Sequence, residues 1–469
     1  MAISSGWHSR SGGSALSAVT TLARWVAETS DDHGENAYAR ARAGLIDTLA
    51  CLVAGANDPA SISVHNTIAE WGVGPATVVG TDAGRPAPWA ALANGTAANA
   101  LDYDDYDVPA ASHPSAAILP ALLALGEESG VSGRTLLDAY IIGIEVQMRL
   151  GEALNMSHFD KGFHSTATIG TLASAAACAR LLGIDATATG NALAIATSLA
   201  AGFKSQLGTT AIHLHTGLAA HNGVLAAGLA SAGATGSSET LDGEWGVLRL
   251  LADVDAPGFG GPLAKLGNPL AIEEFGLCVK PYPCCSYATA SIDGLLALRA
   301  DYDLVPEEVT GITATIPARN IEVLKFPKPA DELEARFSLE YCLAVALLNG
   351  EVVVDDFTPT AVLHEPVRAL LSRIHMEALP ELTGPPSGGF EPETVTVDLA
   401  DGRSVARTIS EVRGSSSLPL TEAELMEKFD SCVAGSLSKK TAELLKQSLH
   451  GIDTLGDIRD LTRHLPTGS

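Results

Sequence analysis

The chain has 469 residues, of which 46% are hydrophobic, 18% charged and 5% aromatic, with 29 Lys+Arg against 55 Asp+Glu and a formal net charge of -26. A chain of this length exceeds the size at which single cores stop growing, so two domains are expected, with an interior built mainly from Ala, Leu, Ile and Val. The acidic surplus is spread along the chain, which argues against a nucleic acid or an anionic membrane surface as partner, because both would repel it.

Residues 1–13 are Ser/Gly-rich and hold no continuous apolar run, so no signal peptide is expected. From about Ala15 to Leu251 the pattern is helical, with apolar residues at three- and four-residue spacing in 40–54, 116–127, 134–150, 165–183 and 187–202. Ser132-Gly133 marks one helix start, and Gly183 marks a stop where a left-handed cap residue is needed. The apolar stretches 187–203 and 216–236 contain Asn191, His221 and Asn222 among Ala and Gly, which suits close helix packing better than a bilayer span. Gly258-Phe259-Gly260-Gly261-Pro262 lacks the strand before and the helix after that a phosphate loop requires. Seven cysteines (51, 178, 278, 284, 285, 342 and 432) are odd in number and scattered, without paired C-x-x-C spacing. A disulfide framework, a zinc site and an iron–sulfur cluster are therefore not expected, and a reducing cytoplasm fits.

After the Gly/Pro-rich segment 257–269 the character changes. Ile312-Thr313-Ala314-Thr315-Ile316 alternates as a half-buried strand does, and 395–399 and 405–409 read as a hairpin around Ala400-Asp401-Gly402-Arg403. The segment 331–349 reads as a helix that ends at Gly350. This gives an α+β domain over about 270–412. From Thr421 the helical pattern returns in 421–433, 438–449 and 454–464, a tail able to rejoin the first domain.

Asp102-Tyr103-Asp104-Asp105 followed by His113-Pro114-Ser115 places three carboxylates and an imidazole within a dozen residues of otherwise apolar sequence. Carboxylates crowded in a low-dielectric site shift protonation equilibria or await a partner, as active sites do, whereas the alternative is an exposed acidic loop with one helix-capping Asp. His113, His158, His164, His213, His215 and His221 fall in the first half, mostly beside Gly, Ser, Thr or Pro. No G-x-S-x-G elbow supports a serine nucleophile. His213-Leu214-His215 has no H-E-x-x-H frame, so no metal is expected. The set suits general acid–base work on carbon next to a carboxylate, where cations must stabilise an enediolate. Lys161, Lys204, Lys280 and Arg336 are the cations placed to do so.

The ordered set Leu101–Asp105, Ser112-His113-Pro114-Ser115, Gly162-Phe163-His164, His215-Thr216-Gly217 with Asn222-Gly223, Lys280-Pro281-Tyr282-Pro283-Cys284-Cys285 and Glu334–Leu339 resembles the MmgE/PrpD family over about residues 15 to 450. That family includes 2-methylcitrate dehydratase, cis-aconitate decarboxylase and iminodisuccinate epimerase. The resemblance implies a two-domain α + α/β fold, in which a large all-helical domain built from both chain ends (1–269 and 413–469) carries a smaller inserted α+β domain (270–412). It also implies a cleft between the domains, a homodimer and chemistry without a cofactor. The expected activity is that of a lyase, a dehydratase of a small hydroxy-di- or tricarboxylic acid. An epimerase, isomerase or decarboxylase of a related acid is one alternative, and a non-catalytic carboxylate-binding protein is another. By matching positions, Asp102, His113, His164 and Tyr341 correspond to catalytic or substrate-binding residues of the decarboxylase branch, and Tyr106 stands where that branch has a threonine. His164 is then the group facing the reacting carbon, oriented by His113 and Asp102, with Tyr341 as proton donor. Tyr106, Lys204, His213, His215, Lys280 and Arg336 complete the substrate-binding set.

Two departures stand out. Gly208-Thr209-Thr210-Ala211-Ile212-His213-Leu214-His215 has Ile212 where the family commonly has lysine, and Ala288-Thr289 replaces a common Thr-His pair. Either His213 or Lys204 replaces the missing charge, or the substrate carries fewer carboxylates, or the chain no longer catalyses a reaction.

Overall fold

The computed structural model describes residues 16–380 and 390–467. The segment 1–13, read above for a signal peptide, lies outside them. Nine helices order the first half: α1 Ala18–Glu28, α2 Gly34–Gly55, α3 Pro59–Ile68, α4 Ala87–Asn99, α5 Pro114–Ser129, α6 Gly133–Asp160, α7 Ser165–Leu182, α8 Ala186–Leu199 and α9 Ala211–Ser231. The expected punctuation is present. Ser132 accepts the Thr135 N–H at 3.1 Å to start α6, and Gly183 ends α7 at φ +62. Small residues let the helices close on one another. A Cβ at Gly217 of α9 would meet Leu92 O of α4 at 2.3 Å, so only glycine permits this crossing.

The apolar interior divides into clusters that follow the composition change. One joins Leu45 and Leu49 of α2, Leu119 of α5 and Ile141 of α6 to Phe429, Leu445 and Ile458. The C-terminal helices, Glu422–Val433 and Lys439–His450, thus pack on the N-terminal ones. Thr421 and Glu424 form the capping box that begins this return. A second cluster collects Ile292, Leu295, Ile312, Ile316, Leu343, Leu347, Val395 and Val397.

That second cluster lies on a four-stranded sheet of order β2-β1-β3-β4, with β1 Val309–Ile316, β2 Ile374–Ala378, β3 Glu393–Leu399 and β4 Ser404–Ile409. The β3–β4 hairpin turns through Gly402 at φ +86. Strand β2 runs parallel to β1, pairing Ile312 with Ile374, and its sequence gave no period-two signal because it is an edge strand with three exposed residues. The segment expected as one helix over 331–349 is two, Glu332–Ala335 and Leu339–Asn349, because Ser338 turns its hydroxyl onto the Tyr341 N–H and starts a new helix. All seven cysteines are free and buried. Among the described residues, no helix is long and apolar enough to cross a membrane.

Candidate active site

Three helices begin with a histidine at or near their first residue. His113 precedes Pro114 of α5 and His164 precedes Ser165 of α7, each in the capping position with no side-chain cap bond, and His213 lies in the first turn of α9. A proline at the first helical position of α5 costs no hydrogen bond, and imidazoles that do not cap their own helices can turn outward from the helix ends. All three line one cavity of about 1010 Å³ together with Asp102, Tyr106, Lys204 and Lys280. The positive ends of helix dipoles favour an anion at such a place.

The acidic run is sorted by the backbone between α4 and α5. Asp102 sits at φ +50, a left-handed conformation uncommon for residues other than Gly, Asn and Asp. Its carboxylate meets the buried Lys280 ammonium at 2.6 Å and lies 3.6 Å from His113 Nε2. Lys280 also donates to Asp102 O at 2.8 Å. Burial opposes the Lys280 charge, yet Asp102 and Asp104 hold its pKa above the ordinary lysine range. Asp104 lies 3.2 Å from His113 Nδ1 and accepts from Asn99 Nδ2 at 3.1 Å. Burial pushes the Asp104 carboxyl up, but His113, Lys280 and Asn99 together hold it below its usual range. Asp105 instead faces the helical core, where it accepts from the Ser115 hydroxyl, and burial raises it well above the usual carboxylate range.

Asp102, Asp104 and His113 bring one ligand atom each within 4.8 Å of one another, a spacing that suits a divalent cation. The Lys280 ammonium supplies positive charge at the edge of this set.

His164 Nδ1 lies 3.1 Å from His215 Nδ1. Burial first, then the neighbouring His215, His113 and His213 rings, hold His164 well below the ordinary histidine pKa. His213 is pushed down to about 4 by burial and Arg336, and its Nδ1 lies 3.1 Å from Asn99 Oδ1. Asn99, which no motif singled out, thus joins Asp104 to His213; as the last residue of α4 it carried no sequence signal of its own.

The remaining expected residues are placed differently. Lys204 lines the cavity with its ammonium 3.8 Å from the Phe159 ring centroid, and among the described residues it forms no ion pair. Tyr106 pairs its backbone with Cys278 on the cavity wall. His215 lies behind His164 and is not a wall residue. Arg336 is buried off the wall, with no partner for its Nε among the described residues. Tyr341, expected as a proton donor, is fully buried in the second apolar cluster, where its hydroxyl donates to Asp356 O rather than facing the cavity. Its place one turn into a buried helix explains this, since Ser338 fixes the helix start and the ring packs on Phe357. Ile212 does line the cavity, so the apolar departure faces any ligand, whereas Thr289 is buried outside the wall.

Comparison with known proteins assigns the family. The MmgE/PrpD N-terminal domain matches residues 20–259 and the MmgE/PrpD C-terminal domain matches 282–451. A cis-aconitate decarboxylase of Homo sapiens is 33% identical over 80% of this chain and 79% of its own length. One of Mus musculus is 32% identical over 81% and 78%. The cis-aconitate decarboxylase-like protein oryM of Aspergillus oryzae is 24% identical over 94% of this chain and 95% of its own. With the two domains matched in order on either side of the segment that carries Lys280, and with the acidic run and histidines gathered at one cavity, the chain belongs to the MmgE/PrpD family.

Proposed function

We propose that the chain is a carboxylate lyase that cleaves a bond next to a carboxylate of a small unsaturated or hydroxylated di- or tricarboxylic acid. The observation that carries this is the convergence of His113, His164, His213, Asp102, Lys204 and Lys280 on one cavity. In this reading Lys204, which forms no ion pair among the described residues, binds a substrate carboxylate, and Lys280 stays committed to Asp102. His164, kept neutral by burial, takes a proton from carbon or hands one on, and His113, held between Asp102 and Asp104, is the opposing acid. His215 positions His164 through the Nδ1 contact.

The decarboxylase relatives favour carbon dioxide as the leaving group. The carbon–carboxylate bond breaks, its electron pair passes into the adjoining unsaturated carboxylate, His113 gives a proton to carbon as carbon dioxide departs, and neutral His164 takes up a proton from solvent and hands it on to His113. Loss of water needs the same acid, directed at the leaving oxygen, with His164 as base. The two apolar clusters support a helical domain from both chain ends carrying an α+β domain, with Leu270, Ala271 and Ile272 packed in the helical cluster and the second cluster running from Tyr282 to Leu399. Assembly as a cytoplasmic homodimer is part of the same proposal.

The test is a panel of cis-aconitate, citrate, 2-methylcitrate, smaller 2-hydroxy acids and iminodisuccinate followed by mass spectrometry. The expected result is loss of carbon dioxide from an unsaturated acid. Loss of water from a hydroxy acid would reassign the leaving group, and unchanged mass for every acid would remove the lyase reading.

A further inference from the structure

The cavity has a second polar wall that the chemistry above does not use. The short helix Ala318–Val323 and the start of β3 bring Asn320 and Glu393 to it. Glu393 is 2% exposed, with Asn320 Nδ2 donating to its Oε1 at 3.0 Å and Ser291 Oγ donating to its Oε2 at 3.1 Å. Those bonds fix the Asn320 amide, whose carbonyl oxygen is thereby turned away from Glu393. Among the described residues this buried oxygen has no hydrogen-bond donor. A buried acceptor left unpaired costs stability unless a ligand or solvent completes it. Glu391 and Glu411 also line the cavity, and Arg319 beside Asn320 lies 3.7 Å from Glu391.

The cavity is therefore polarised. Lys204, Lys280 and the helix N-termini suit an anion, whereas the Asn320 wall offers carboxylates and an unfilled acceptor. Its volume of about 1010 Å³ is at the top of the range for ordinary ligand sites, roughly 300–1,000 Å³, and exceeds what a small tricarboxylate would fill.

We propose that the Asn320 wall is a subsite for a protonated amine carried at the far end of the carboxylate substrate, with Asn320 Oδ1, Glu393 and Glu391 as its acceptors. The proposal rests on the carboxylate-lyase reading and narrows its substrate to acids that also bear a remote ammonium. An ammonium supplies the donor that Asn320 lacks and a positive charge that favours the ionised form of the buried Glu393 carboxyl. A methyl group of the same size would leave both groups unpaired, and the resulting penalty is what discriminates between the two ends.

The experiment is calorimetric titration of the full chain with succinate and with ω-aminoalkylsuccinates of increasing length, each against the alkylsuccinate in which methyl replaces the ammonium. At the chain length that spans the cavity, the ammonium-ended acid is expected to bind about tenfold or more tightly than its methyl-ended twin. Asn320→Leu and Glu393→Gln should each remove that preference, with thermal melting of both variants confirming the fold. If succinate binds but the methyl-ended acids match the ammonium-ended ones at every length, the subsite is overturned while the carboxylate site stands. If no acid binds, both readings fall.

Discussion

The Lys280 ammonium and the Asp102 carboxylate meet at 2.6 Å with both side chains buried. Each is the other's neutralising partner, so removing one leaves an uncompensated charge. Lys280→Met should lower unfolding free energy by about 3–5 kcal/mol. Asp102→Asn removes the charge while suiting the left-handed backbone at this position. The pair Lys280→Met with Asp102→Asn should therefore recover much of the loss of Lys280→Met alone. Denaturant unfolding of the three variants measures this, and a Lys280→Met protein as stable as the parent would show that Asp102 is solvated.

His164 and His215 face each other through their Nδ1 atoms, so one ring donates and the other accepts. His164→Ala should lower kcat by about 10²–10⁴ without unfolding the chain. The pH profile carries the sign. A base works while unprotonated, and burial together with the nearby rings holds His164 well below 6.5. Turnover should stay level as pH falls through 6.5 and drop only in more acidic solution. His215→Ala removes one of those rings and admits solvent, and both effects move the acidic limb up toward 6.5. An unmoved limb would show that His215 does not position His164.

Much of this site is readable before any folding. Asp102, Asp104 and His113 form a polar run just ahead of the helix read over 116–127, and the sequence shows their crowding although it does not mark the end of α4 at Asn99. His164 is announced by the helix that it precedes. What escapes is whatever depends on distant partners. Asp47 meets Lys428 of the C-terminal return at 2.6 Å, a pairing with no local pattern. Glu393 opens a strand whose alternation reads cleanly, yet its burial is set by Ser291 and Asn320 from other segments. Tyr341 shows the converse. Its position in the family pattern suggests a proton donor, and the helix start at Ser338 turns the ring into the second core.

Glu393 also governs how stability responds to pH. Burial pushes its carboxyl up to about 7 from the usual 4.5, with Ser291 and Asn320 only partly opposing. Because the folded-state pKa is raised, its contribution is fully present below the unfolded value and is lost as pH rises through 7. The loss is on the order of 3 kcal/mol above that point. Glu393→Gln has no charge to bury. Its melting temperature relative to the parent should therefore climb between pH 4.5 and pH 7 and level off above. A difference that stays constant with pH would mean that Glu393 is ionised in the folded protein throughout.

Ile212 supplies the sharpest test of specificity. It is 4% exposed on the cavity wall, beside His213 at the start of α9, where the family commonly carries a lysine. Asp102 is already matched to Lys280, and Asp104 to His113 and Asn99. Ile212→Lys should therefore destabilise the unliganded chain, and any anion that enters the cavity should recover that loss. The variant should melt below the parent alone and gain more than the parent from an added tricarboxylate. Its kcat/KM for a tricarboxylate relative to a dicarboxylate should rise about tenfold or more, since an added carboxylate gains a charge-assisted partner. If the ratio is unchanged in a folded Ile212→Lys protein, the apolar residue has not set the number of carboxylates the site accepts, and Lys204 already provides all the cationic recognition the reaction uses.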